Sequence, residues 1–318
     1  MKKFVAILLT LMLVLGVSAA FAEETYTDQK TVTIKKAYML VGAGTSPAET
    51  FTLEQTASRV VDGEATAAPA LGTITGAAYA VGAATTAGAI ANITVALPTY
   101  TSVGKYEYTL KEVAGTTAGV TYYGNEIKLV VTVINGENGN LRIAAVHTET
   151  KEGDDKNDTF PNTYSAGKLN VSKTVKGNLG DKDKYFEFKV TLDGEPGKTY
   201  GESYVVDGGS NASNPATIAV NGGATTFLLK DGETISIANL PYGVTYTVTE
   251  TAADGYTTTK TGDTGSINAA AQTAAFINTK TGTIDTGVTT ESLPYVVLMG
   301  FVVLAGAALL LKRKAHNN

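Results

Sequence analysis

Short runs rich in Val, Ile, Thr and Tyr alternate apolar and polar residues with a period of two, and Gly, Asn and Asp separate them. No stretch between residues 23 and 286 sustains the 3.6-residue period of an amphipathic helix. Successive side chains on a strand point to opposite faces, so such runs bury their apolar half only by pairing into sheets that pack face to face. The fold class is therefore all-β. The 34 Gly and 49 Thr among 318 residues suit many strands joined by many turns, as in antiparallel sandwiches. The stretch 65–91, rich in Ala, Gly and Thr and weakly patterned, reads as short edge strands and loops.

Both ends carry targeting signals. Lys2 and Lys3 precede an apolar run from Phe4 to Val17, and Ala20, Phe21 and Ala22 supply the small-x-small pattern of a secretory cleavage site, so residues 1–22 read as a signal peptide. Residues 293–311 form an apolar stretch that as a helix could cross a hydrocarbon layer of ~30 Å. Lys312, Arg313 and Lys314 follow it, which marks residues 312–318 as a cytoplasmic tail. The exported part, 23–286, holds 20 basic and 29 acidic side chains, a net charge of about −9 that argues against nucleic acid as a partner. It has no Cys, so no disulfide can staple it, and thiolate metal sites and Cys nucleophiles are excluded. His147 is the one His outside the tail, and neither Asp154 and Asp155 nor the turn 207–211 offers the ligand count of a calcium loop. No metal and no cofactor is expected.

The two halves repeat one polar pattern. In the first, Val32, Ile34 and Lys36 share a strand face, as do Tyr106, Tyr108, Leu110 and Glu112, and Phe160, Pro161, Asn162 and Thr163 close the half. In the second, Leu169, Val171, Lys173 and Val175 share a face, as do Val244, Tyr246, Val248 and Glu250, and Phe276, Ile277, Asn278 and Thr279 close it. Lys to Glu spans 76 residues in one half and 77 in the other. Two β domains follow, 23–164 and 165–280. Six residues, Thr163 to Lys168, join them, a connection short enough for a rod of limited bending.

A Lys, a Glu and an Asn that continue an apolar alternation point into the core with it. Burial disfavours the charged forms of Lys and Glu, and a neutral Lys amine is a nucleophile. A protonated Glu can donate to the Asn side-chain carbonyl and relay protons as the amine attacks and ammonia leaves. Folding then holds the reactants at effective molarities of roughly 10⁵ to 10⁸ M, enough for one turnover without an enzyme. The expected products are isopeptide bonds from Lys36 to Asn162 and from Lys173 to Asn278, with Glu112 and Glu250 as the catalytic acids. Lys35 lies on the opposite strand face from Lys36. For any single residue of this kind, a solvated Lys, its cross-strand Glu or a turn-forming Asn is the ordinary reading; two ordered, in-phase triads outweigh it.

The segments Leu169–Val175 (LNVSKTV), Leu240–Glu250 (LPYGVTYTVTE) and Phe276–Thr279 (FINT) resemble the C-terminal isopeptide domain of Gram-positive backbone pilins of the streptococcal FctA or T-antigen type. Val32–Lys36 (VTIKK), Tyr106–Glu112 (YEYTLKE) and Phe160–Asn162 (FPN) resemble the N-terminal domain of the same pilins. The resemblance implies two tandem immunoglobulin-like, CnaB-like β-sandwich domains and a covalent pilus shaft. A class C sortase would cleave after a Thr and join it to a Lys of the next identical subunit, with tip and base pilins and peptidoglycan as further partners. The cleaved bond corresponds to Thr286–Gly287, within the region 281–292 ahead of the apolar span, although Thr283 and Ile284 stand where the family motif has Leu and Pro; Thr281–Gly282 is the alternative. The acceptor corresponds to Lys156, six residues before Asn162, with Lys151 as second choice. An ancillary adhesin or wall-anchored protein that does not polymerise is the rival reading. A surface hydrolase is disfavoured, because one His and no paired carboxylates supply no catalytic constellation.

Overall fold

The computed structural model of the protein describes residues 28–150, 156–283 and 297–299. The signal segment 1–22, Lys151, the Thr286–Gly287 bond, the tail 312–318 and all but three residues of the apolar stretch 293–311 lie outside the described residues. No helix among the described residues is long and apolar enough to cross a membrane. Apart from a single 3₁₀ turn at Glu137–Gly139 and the helical residues 297–299, every described element is a strand.

The strands enclose two hydrophobic cores. The first gathers Ile34, Tyr38, Phe51, Tyr106, Leu110, Val131 and Phe160, and the second Leu169, Val171, Phe186, Phe188, Ile237, Val248 and Phe276. Around the first core, Thr31–Gly42 sits between Ala89–Ala96 and the beginning of Thr159–Lys176. The second sheet there runs in the order Leu141–Thr150, Ile127–Asn135, Gly104–Glu112, Leu53–Gly63. Around the second core, the end of Thr159–Lys176 sits between Thr234–Pro241 and Ala271–Thr279. Its companion sheet is ordered Thr225–Leu229, Phe186–Asp193, Thr245–Glu250, Thr264–Ser266. The Ala-rich stretch forms the short strands Ile74–Thr75 and Ala77–Tyr79, and it buries Ala77, Tyr79 and Ala84 in the first core.

Two expectations from the sequence give way to the fold. The six residues 163–168 are not a connection: they lie inside one 18-residue strand, Thr159–Lys176, that belongs to both cores. Its backbone never leaves a ladder, because Thr163 to Ala166 still pair with Met39 to Gly42 while Ala166 and Gly167 already pair with Pro241 and Leu240. Nor are the sheets purely antiparallel. Thr31–Gly42 runs parallel to the beginning of the shared strand, and Ala271–Thr279 runs parallel to its end.

The shared strand changes phase on the way. Phe160, Asn162, Tyr164 and Ala166 are buried, at even positions, whereas Leu169, Val171, Lys173 and Val175 are buried at odd ones. Even positions face the first core and odd positions the second, and where the strand passes between them the ladder with Thr234–Pro241 shifts, Lys168 alone standing opposite Ala238 and Asn239 of the partner strand. Gly167 is required there: a Cβ would lie 2.1 Å from the Ala269 carbonyl oxygen. Backbone hydrogen bonds brace the junction on two sides, Ala43 N–H to the Ala166 carbonyl (2.8 Å) and Ala118 N–H to the Thr199 carbonyl (2.9 Å). The Thr45 N–H also donates to Asn239 Oδ1 at 2.8 Å.

Candidate functional site

The parallel pairs explain how Lys and Asn meet. Lys36 is directly opposite Phe160, so Asn162 sits two residues further along the neighbouring strand on the same face; Lys173 is directly opposite Phe276, with Asn278 two residues further. The same diagonal recurs in both halves, within reach of a long side chain. Glu112 and Glu250 come across the core from the last position of Gly104–Glu112 and of Thr245–Glu250.

In the first core, Lys36 Nζ donates to Glu112 Oε2 and Asn162 Nδ2 donates to Glu112 Oε1. Lys36 and Asn162 are each 1% exposed. The Asn162 carbonyl oxygen accepts the backbone N–H of Tyr123 at 2.8 Å. The rings of Phe51 and Tyr123 each lie 5.5 Å from Lys36 Nζ and shut out water. In the second core, Lys173 Nζ donates to Glu250 Oε1 at 2.8 Å, and Asn278 Nδ2 donates to that same oxygen. The Phe186 ring is 4.1 Å from Lys173 Nζ, and Phe188 is 5.7 Å away. Burial holds both lysines below their ordinary value of 10.5, against the opposing pull of the paired carboxyl group. Each site thus puts a buried amine and a primary amide on one carboxyl group.

The donor pattern differs from the sequence reading in one respect. The amide nitrogen of each Asn faces the Glu, not the carbonyl oxygen. In the first core a backbone N–H polarises the carbonyl, and the carboxyl group stands beside the nitrogen that would leave. Tyr123 carries no sequence signal for this role, because a backbone N–H is common to every residue but Pro and only the chain path aims it. Phe186 and Phe188 could have been found, since they alternate in phase along Phe186–Asp193.

The remaining described residues fall as follows. Lys35 points away from the core and pairs with Asp158 at 2.8 Å. Lys156 is exposed, in an isolated bridge opposite Glu149. Glu149 Oε1 meets His147 Nε2 at 2.7 Å, and Lys128 Nζ donates to its Oε2 at 3.3 Å.

Residues 26–165 match the FctA family, described as a Spy0128-like isopeptide containing domain, and residues 167–280 match a family described only as a domain of unknown function. The chain is 30% identical over 236 residues to a pilin of Streptococcus pyogenes serotype M1, an alignment that covers 68% of this chain and 69% of that protein. It is 34% identical over 131 residues to the pilus tip adhesin Cpa of Streptococcus pyogenes, covering 39% of this chain and 18% of the adhesin. The crystal structure of the major pilin from Streptococcus pyogenes shares its fold, with a TM-score of 0.50 at 23% identity over 80% of this chain and 100% of that one.

Proposed function

The chain belongs to the FctA family of Gram-positive pilins, and from that premise we propose that it is a major shaft subunit, cross-linked within each of two tandem immunoglobulin-like domains and polymerised by a sortase. One observation carries the first part: twice, a buried Lys and a buried Asn in the same diagonal register on parallel strands meet a Glu whose side chain is at most 3% exposed. Ion pairs buried to this degree are a weak source of stability, because desolvation offsets much of their attraction. Reaction removes the problem by converting amine and amide into a neutral linkage. Lys36 Nζ attacks Asn162 and Lys173 Nζ attacks Asn278, with Glu112 and Glu250 moving the proton from amine to departing ammonia. In the chain-entropy model, closing loops of ~100 residues in this way is worth ~5 kcal/mol each, the stabilisation a cysteine-free exported protein otherwise lacks.

Polymerisation joins Thr286 of one subunit, after loss of Gly287, to Lys156 of the next, on the outer surface of a Gram-positive wall after export and transient membrane anchoring. The exposure of Lys156 supports its role as acceptor, since an incoming acyl-enzyme must reach it. The similarity to a tip adhesin over 131 residues favours one other reading, an ancillary surface protein with the same cross-links but no polymer. The intact mass of residues 23–286 tests the chemistry: two ammonia molecules should be missing, and a full sequence mass would overturn it. Covalent ladders of the chain, present with a partner sortase and lost in Lys156→Arg, separate the shaft subunit from the ancillary protein.

A further inference from the structure

The two triads differ at the Asn carbonyl oxygen and at the carboxyl group, where Lys36 and Asn162 use separate oxygens of Glu112 but Lys173 and Asn278 share one of Glu250. Asn162 Oδ1 accepts the Tyr123 N–H at 2.8 Å. Asn278 Oδ1, buried at the matching place, has no hydrogen-bond partner among the described residues, and neither has Glu250 Oε2. A backbone N–H can only donate, so it fixes which way the Asn162 amide faces: oxygen to Tyr123, nitrogen to Glu112. The loop that carries this N–H is itself held, for the Tyr123 ring packs edge-on against Phe160 at 5.2 Å, and Phe160 is the residue directly opposite Lys36.

We propose that the Tyr123 backbone N–H is an oxyanion donor for the first-domain cross-link, that the second domain has no counterpart, and that the two bonds therefore form at different rates. This rests on the isopeptide reading above. As the Lys36 Nζ lone pair forms its bond to Asn162 Cγ, the carbonyl π pair moves onto Oδ1, where the Tyr123 N–H already points. One proton leaves Nζ for Glu112 Oε2 while the carboxyl group gives one to Nδ2 from Oε1. The Cγ–Nδ2 bond then breaks, ammonia departs and the oxygen's electron pair returns to the carbonyl. Nothing is oxidised or reduced, and Glu112 ends as it began. In the second domain the charge on Asn278 Oδ1 develops without a backbone partner. Removing one preorganised donor of this type slows reactions ~10² to 10³-fold, which sets the expected gap between the sites.

The test follows both sites in one molecule. Full-length chain from timed cell-free synthesis is quenched in acid and digested, and ammonia loss is read separately on peptides holding Lys36 with Asn162 and Lys173 with Asn278. The first-domain bond is expected to form about 100-fold faster or more. Tyr123→Pro, which lacks the N–H, is expected to slow that bond alone, the second domain serving as internal control. Equal rates in the wild type, or an unchanged first-domain rate in Tyr123→Pro, would overturn the inference. If neither bond forms in the wild type, the isopeptide reading itself fails. Should Tyr123→Pro not fold, amide hydrogen exchange in folded, unlinked Glu112→Gln decides: a protected Tyr123 N–H supports the donor, and a freely exchanging one refutes it.

Discussion

If subunits are joined as proposed, load on one of them would enter at Lys156 and leave towards Thr286. The shared strand carries that load from Thr159 to Lys173 without leaving the chain, because Asn162 and Lys173 lie on the same 18-residue strand. A Lys173–Asn278 bond would then pass it to Ala271–Thr279, bypassing the intervening residues 174–277. Removing that bond with Asn278→Ala puts those 104 residues on the load path. At 3.3–3.6 Å per extended residue, each subunit should lengthen by about 340–370 Å. The parallel ladder between Lys168–Lys176 and Ala271–Thr279 is pulled in opposite directions, so it resists in shear and then yields in one step. Asn162→Ala should show no such step, since most of the first domain hangs beside the path; it should instead lose resistance to heat and protease. Single-molecule stretching between residue 156 and the C-terminus reads both. Equal extension from the two variants, or none from Asn278→Ala, would refute the load path.

Glu112→Ala and Glu250→Ala should each restore one ammonia of mass while the other domain still reacts, read by intact mass; a cross-link that survives either change would show that the wrong acid is named. Burial lowers both lysines below the ordinary 10.5 while the paired carboxyl groups raise them, so the unlinked double variant, which lacks those carboxyl groups, should keep the lowering. The unfolded chain then binds more protons than the folded one below that value, so thermal stability should rise as pH approaches 10.5 from the acid side, and a flat profile would count against buried neutral lysines. Gly167→Ala, on the strand both domains share, should destabilise them together by about 1–3 kcal/mol, because the added Cβ meets the Ala269 carbonyl; a melt in which only one domain shifts would sink the idea of a single rigid junction.

The triads are legible in the amino-acid sequence because side-chain period is a local property. Val32, Ile34 and Lys36, or Tyr108, Leu110 and Glu112, announce by spacing alone that a charged residue follows the apolar face inward, and the structure buries each of them. Both phases of the shared strand are also present in the sequence, Phe160 and Asn162 at even positions and Leu169 to Val175 at odd ones. Only the fold reveals that these are one strand passing from one core to the other, since its partners, Thr31–Gly42 and Thr234–Pro241, lie far from it along the chain. The diagonal from Lys to Asn is likewise decided in three dimensions: parallel pairing depends on which distant strands become neighbours, and period-two spacing is the same for either direction. The Tyr123 N–H is the limiting case. Its identity as an amide is written at every non-proline position, and only the return of the loop beside Phe160 places it against the Asn162 carbonyl.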